Sequence, residues 1–226
     1  MFNLTLLTAT GERQEAFDLC QRWMQRQTFE GSVRWIIVDD GEKEQKITFN
    51  RKNWNIEVIR PTPYWEKGQN TQHRNLLSGL RRVGSHERLL IIEDDDWYGE
   101  HYLNDSYRLL NDHFLVGECL AKYFNVKTGK SQNMLNMAHA SLCSTGMKGA
   151  AIDAFKQSIL SQTKFIDMHL WKRFRGTKKL VTTDNVVGIK GMPGRGGIGC
   201  GHSDKFGSLS ELKNLIGEDA RYYGFC

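Results

Sequence analysis

The apolar positions fall into short runs separated by polar stretches with helical periodicity. Phe2 to Thr10 (FNLTLLTAT) reads as a strand, and after Gly11-Glu12 the residues Ala16, Leu19, Cys20, Trp23 and Met24 recur at helical spacing. Val33 to Val38 (VRWIIV) predicts a second strand, which stops at Asp39, Asp40 and Gly41. Asn55 to Arg60 (NIEVIR) predicts a third, leading through PTPYWEKGQN into a helix with Leu76, Leu77, Leu80 and Val83 on one face. Leu89, Leu90, Ile91 and Ile92 then form an uninterrupted apolar run, the pattern of a strand buried on both faces of a parallel sheet. It ends in four consecutive acids, Glu93, Asp94, Asp95 and Asp96. Strands alternating with helices in this way argue for an α/β fold with right-handed crossovers.

The second half is less regular. Tyr102 to Leu110 predicts a helix, and Leu115 to Val126 a strand with its turn at Lys127 to Lys130. Met134 to Leu142 reads either as a returning strand or as an irregular segment. Ala150 to Leu160 predicts a helix with Ile152, Phe155 and Ile159 inward; Asp167 to Phe174 begins another with Leu170, Trp171 and Phe174 buried. Asn185 to Ile189 is a last short strand, followed by the glycine-dense GMPGRGGIGCGH from Gly191 to His202. So many glycines lose much backbone entropy on ordering, which predicts a loop that orders around a ligand. Ser208 and Glu211 have the spacing of a capping box for a C-terminal helix.

A chain of 226 residues with 39% hydrophobic content supports one well-buried core. We expect a single domain over residues 1–226, with a ligand-binding half in 1–110 and a second half in 111–226 that carries the loop 191–202. No apolar run approaches the ~18 residues of a membrane span, and MFNLTLL has no basic signal region, so a soluble cytoplasmic protein is expected. Five cysteines, Cys20, Cys119, Cys143, Cys200 and Cys226, lack CxxC spacing and suggest reduced thiols rather than disulfides or zinc. The net charge of +5 is compatible with an anionic partner. No GxGxxG or GxxxxGK[ST] follows the first strand, which argues against a dinucleotide fold and a P-loop.

The acidic run is the most informative chemistry. Carboxylates at the carboxyl end of a buried strand lie where open α/β sheets bind ligands. Four of them repel one another, and a divalent cation removes that cost; hard oxygen donors suit Mg²⁺ or Mn²⁺ together with substrate phosphates. The alternative is a solvated acidic turn capping the next helix.

These segments resemble the GT-A fold glycosyltransferases, and among them the large inverting family two. LTLLTATGERQEAFDLCQRWMQRQTF is similar to that family's opening strand and helix, WIIVDDGE to its second strand with a nucleotide-binding carboxylate, QHRNLLSGL to its Arg-Asn helix, and EDDDWYGEHYL to its D-x-D-D-[WY]-x-x-P-x-x-L stretch. Glu93 stands where the family often has its first Asp, and Glu100 where it commonly has Pro, which leaves open whether Glu93 with Asp95 or Asp94 with Asp96 is the working pair. The resemblance implies a Rossmann-like, mixed but mostly parallel sheet flanked by helices. It implies transfer from a UDP-sugar of the UDP-glucose kind to a hydroxyl acceptor, with Mn²⁺ or Mg²⁺ at Asp95 and secondarily Asp96, completed by His202. Asp94 is then placed to contact the ribose or donor sugar, and Thr8, Thr10 and Asp39 to hold the uracil, whose imide N–H suits the Asp39 carboxylate. Arg74 and Arg195 are phosphate contacts by their guanidinium geometry, or solvated and paired elsewhere.

Inversion needs a base opposite the leaving group. Asp167 in FIDMHLWKRF is the candidate, with Asp184 as a rival and Asp153 as a solvated helix residue; a helix-capping Asp167 is the alternative. PYWEK near Tyr64 and WKRFRGTKK from Trp171 to Lys179 would suit a polyanionic acceptor such as DNA bearing a hydroxymethylated base, against a saccharide or small-molecule acceptor and a helix with a merely solvated basic end. A nucleotidyltransferase and a non-catalytic nucleotide-sugar or nucleic-acid binding module are the competing classes.

Overall fold

In the computed structural model, which describes residues 2–196, 202, 203, 205 and 207–224, β1 (Leu4–Thr10) runs through the middle of a seven-stranded sheet. Its sequence gives it no wet face. Leu4 and Leu6 enter one apolar cluster and Leu7 the other, all without exposed surface, as expected when side chains alternate across a strand. β2 (Val33–Asp39) and β3 (Trp54–Ile59) extend the sheet in parallel on one side, and β4 (Arg88–Ile91) pairs in parallel on the other. Beyond β4 lie β9 (Thr145–Lys148), antiparallel to its neighbours, then β6 (Leu115–Glu118) and β10 (Lys178–Val181). The expected mixed, mostly parallel sheet flanked by helices is therefore what forms.

Helices cover both faces. α1 (Gln14–Gln25) and α3 (Tyr102–Asp112) pack on one side through Phe17, Cys20, Trp23, Tyr102, Leu103 and Leu110. α2 (Gln72–Leu80), α4 (Ala150–Leu160) and α5 (Ile166–Arg173) cover the other through Leu76, Leu80, Ile152, Phe155, Ile159 and Leu170. Each such fully buried aliphatic or aromatic side chain stabilises the fold by about 1.5–3 kcal/mol relative to exposure. The end of the chain is tied back to α1, where the Trp23 indole N–H donates to the Tyr223 hydroxyl at 3.0 Å and the two rings stack.

A second, smaller sheet was not expected. Its order is β12 (Ser208–Leu209), β8 (Lys130–Asn133), β7 (Lys122–Asn125), β11 (Val186–Lys190) and β5 (Trp97–Tyr98). The run Leu115 to Val126 is accordingly not one strand. Leu120 takes φ 56°, a left-handed backbone that breaks the ladder and sends β6 and β7 into different sheets. Met134 to Leu142 is irregular and ends in a 3₁₀ turn at Leu142–Ser144. The capping box does not form, because Ser208 is paired in β12 against Ser131; the short α6 (Lys213–Ile216) starts after Leu212 without a side-chain cap. The basic WKRFRGTKK is likewise divided: α5 stops at Arg173, Phe174 is extended, and Lys178 and Lys179 belong to edge strand β10.

Glu118 ties the two sheets together. At the end of β6 its carboxylate accepts the Thr183 hydroxyl at 2.6 Å and the Val186 backbone N–H of β11 at 3.2 Å. It is 6% exposed, and burial pushes its pKa up to about 7, against the opposing pull of these donors.

Candidate active site

The acidic run forms a turn at the carboxyl edge of β1 and β4. The Ile92 N–H still donates to the Leu7 carbonyl at 3.0 Å, so Glu93 is the first residue beyond the ladder. From here Glu93, Asp94 and Asp95 line a cleft of about 470 Å³ that also takes in Thr10, Arg13, His139, Asp167, Lys190, Arg195 and His202. The structure thus brings six predicted site residues, Thr10, Asp94, Asp95, Asp167, Arg195 and His202, into one cavity.

Two cations missed in the sequence organise the acids. Arg13, just before α1, donates to Asp94 at 2.9 Å and to Asp95 at 2.7 Å, a fork that only a planar guanidinium spans. Lys190, the last residue of β11, puts its ammonium 2.8 Å from Asp96, 3.4 Å from Asp95 and 3.9 Å from Glu93. Burial alone would discharge it, but three carboxylates hold its pKa well above the ordinary lysine value. The detectable signal was a basic residue closing a buried strand directly before a glycine-rich loop.

The four acids differ once placed. Burial pushes Asp94 up to about 6 despite Arg13 and the Thr10 hydroxyl, which donates at 2.8 Å. Burial also acts on Asp95, but Arg13 and Lys190 outweigh it and keep this carboxylate well below the usual range, hence ionised. Asp96 has no exposed surface; it accepts the Ile189 N–H at 2.8 Å besides the Lys190 ammonium. Burial raises the pKa of both Asp96 and Glu93. Ligand atoms of Glu93, Asp96 and Cys143 lie within 4.8 Å of one another, but burial and Asp96 keep the Cys143 thiol protonated and Lys190 already supplies the positive charge there.

His202 reaches the cleft as a neutral imidazole, its pKa lowered to about 4 by burial and then by Lys190 and Arg13, against the pull of Asp95. An ionised carboxylate and a neutral imidazole in one cleft are a donor set that fits a divalent cation. Of the acids, Asp95 meets that description; Asp96 does not line the cleft.

Asp167, which also lines the cleft, lies in the first turn of α5, where Phe165 rather than Asp167 is the cap. Burial raises its pKa, partly offset by the Met168 N–H and His139. Of its rivals, Asp184 is exposed and paired with Lys122 at 2.7 Å, and Asp153 sits exposed in α4.

The remaining predicted residues stand behind the cleft. Thr8 is buried in the core, its hydroxyl accepting the Trp35 indole N–H at 2.9 Å. Asp39 is held by Arg60 at 2.6 Å and by the N–H groups of Gln45 and Gly41. Arg74 donates to Asp40 at 2.9 Å and to the Pro63 carbonyl. Asp40, unassigned in the sequence, has no exposed surface and is the anchor of the glycine-rich segment: Arg195 donates to it at 2.7 Å and to the Thr71 hydroxyl at 2.6 Å, and lies 5.1 Å over the Trp65 ring. Two glycines permit this approach. A Cβ on Gly11, at φ 147°, would meet Asp40 Oδ1 at 2.4 Å, and one on Gly194, at φ 93°, would meet the Glu12 carbonyl at 2.3 Å. Of the loop 191–202, residues 197–201 lie outside the described residues.

The sequence matches no family model and no curated protein. In fold the chain is similar to TarS of S. aureus, with a TM-score of 0.56 at 9% identity over 82% of this chain and 36% of that one. It is similar also to TarS 1-349, with TM-score 0.52 at 9% identity over 82% and 60% of the two chains. TarS 1-349 in complex with UDP-GlcNAc gives TM-score 0.52 at 10% identity over 83% and 59%. The chain thus spans between about a third and three fifths of the length of these neighbours, with which it shares its fold.

Proposed function

We propose that this protein is an inverting glycosyltransferase that moves a hexosyl unit of the glucose kind from a UDP-sugar to a hydroxyl acceptor, with Mn²⁺ or Mg²⁺. The observation that supports this reading is one cleft lined by an ionised Asp95, a neutral His202 and a half-buried Asp167 whose pKa is raised by burial. The fold shared with TarS, a protein seen bound to UDP-GlcNAc, supports the donor class.

Asp95 and His202 would hold the cation, which when bound would supply positive charge to the departing diphosphate. Arg13 and Lys190 keep Asp95 fixed and ionised and add positive charge on the leaving-group side. Thr10 and Asp94 meet the ribose or sugar, and Arg195 the diphosphate; Thr8, Asp39 and Arg74 brace the strand ends from behind. Asp167 accepts the acceptor hydroxyl proton as the acceptor oxygen bonds to the anomeric carbon and the carbon to phosphate-oxygen bond breaks, its electron pair leaving with UDP.

The test is UDP release and product stereochemistry. With the metal present, Asp167→Asn should bind UDP-sugar nearly as wild type does and lose ~10²–10⁴-fold in transfer rate. Proton NMR of the product from an α-linked donor should show a β anomer; an α anomer, or undiminished transfer by the variant, would remove Asp167 from this role. Absence of UDP-sugar binding would overturn the donor class itself.

A further inference from the structure

The chain's surplus charge is concentrated in one place. Residues 164–179 hold six of its 31 Lys and Arg and one of its 26 Asp and Glu, a net +5, so the other 210 residues balance to zero. The six are Lys164, Lys172, Arg173, Arg175, Lys178 and Lys179. All are exposed, and none has an acidic partner within ion-pair distance among the described residues. A segment with six cations against a single acid, in a chain otherwise neutral, is an electrostatic footprint for an anion.

Its position relates it to the cleft. Asp167 lies in the first turn of α5 and Lys172 and Arg173 lie in its last, a rise of about 8–9 Å along the helix. Ile166, Leu170 and Trp171 face the core, while Phe165, Met168 and Lys172, spaced three and four apart, form the outward stripe that joins cleft to turn. Phe165 and Met168 line the cleft yet are 43% and 49% exposed. The Lys164 ammonium sits 5.4 Å over the Phe165 ring. An exposed aromatic face at the mouth of a cleft, a lysine beside it and a trail of cations leading away suit a polymer with a planar group on every unit and a phosphate between units. Bases stack on such a ring irrespective of sequence, while the cations follow the backbone. A sulfated or carboxylated glycan would use the cations too, but offers the ring only the C–H face of a sugar in place of a planar base.

Resting on the transferase reading above, we propose that the acceptor is a single-stranded or locally opened nucleic acid, its hydroxyl-bearing nucleotide stacked at Phe165 against Asp167 and its following phosphates carried along α5 onto Lys172, Arg173 and Arg175.

The test is fluorescence anisotropy of a labelled single-stranded DNA oligonucleotide of about 15 nucleotides, titrated across salt with no donor present. Wild type should bind with a strong salt dependence. The exposed triple variant Lys172→Gln, Arg173→Gln, Arg175→Gln should flatten the slope of log affinity against log salt by about 2, at ~0.7 per phosphate contact on a single strand. Phe165→Ala should weaken the oligonucleotide about 5- to 150-fold and leave inorganic polyphosphate binding unchanged. Circular dichroism verifies that each variant retains its fold. No binding at low salt, an unchanged slope in the triple variant, or equal loss of oligonucleotide and polyphosphate in Phe165→Ala would each overturn the proposal. Polyphosphate or a sulfated glycan bound as tightly as the oligonucleotide, with Phe165→Ala indifferent to all three, would assign the surface to a different polyanion. Because no donor is present, these outcomes leave the UDP-sugar reading untouched, and a failure to release UDP leaves the oligonucleotide titration standing.

Discussion

Glu118→Gln should change how stability depends on pH. Burial pushes the wild-type carboxyl up to about 7 in the fold, against an ordinary value of 4.5. The folded state therefore holds the proton more tightly, and the stabilisation this confers is complete below 4.5 and is lost as pH rises through 7. At 1.36 kcal/mol per unit, the loss saturates near 3 kcal/mol, of which about 2–3 kcal/mol falls between roughly pH 5 and roughly pH 8. Glutamine cannot ionise, so its contribution is flat. Its amide oxygen can still accept from Thr183 or from the Val186 N–H, but the NH₂ must face the other donor, a pH-independent cost of about 1–3 kcal/mol. The variant should thus be the weaker protein in acid and draw level with, or pass, the wild type in alkali. Urea denaturation at several pH values measures the difference directly, and in thermal melts its swing should be about 5–12 °C for a chain of this size. Comparing two proteins at each pH cancels other groups that titrate in the window, Asp94 among them. A difference that stays constant within about 0.5 kcal/mol from pH 5 to pH 8 would mean that Glu118 is charged and unstrained in the fold.

Asp95→Ala should abolish transfer and the requirement for Mn²⁺ or Mg²⁺ together while circular dichroism stays native, and His202→Ala should raise the metal concentration for half-maximal rate; full turnover in excess chelator would refute both. Lys190→Met removes the ammonium 2.8 Å from the buried Asp96 and leaves that carboxylate without its countercharge, and breaking such a buried ion cluster costs about 3–5 kcal/mol. Calorimetry should show a melting temperature lower by about 6–20 °C, and a shift under about 2 °C would show that Lys190 carries no such role.

Most of the first hundred residues were legible because β1, β2 and β4 are buried on both faces and the helices on one, so period separates them. β1, β2 and β4 follow from LTLLTAT, VRWIIV and RLLI, and the acids at the end of the last follow from composition. The small sheet was hidden for the opposite reason: KYFN and KSQN are short, partly exposed strands, and what defines them is their pairing with each other and with β11, not a hydrophobic pattern. Nothing local to Leu120 announces a left-handed residue. Arg13 and Lys190 escaped because a cation's partner is set by topology; each looks like an ordinary basic residue until the sheet closes. Thr8 and Asp39 were visible as strand-end polar residues, but which way a strand-end side chain turns is decided by neighbours such as Trp35 and Arg60.

The countercharges of the acidic turn have a kinetic meaning. Arg13 is 81 and 82 residues from Asp94 and Asp95 in sequence, Lys190 is 94 residues from Asp96, and Arg195 is 155 from Asp40. No local segment holds the turn's four negative charges together with both of the cations that quench them. During synthesis the acids emerge long before Lys190, and β11 must dock before that charge is compensated. Loop closure over such separations is slow, so the acidic turn acquires its final electrostatics only after these distant segments meet, and a nascent chain that has not yet reached residue 190 carries the acidic cluster uncompensated by that lysine.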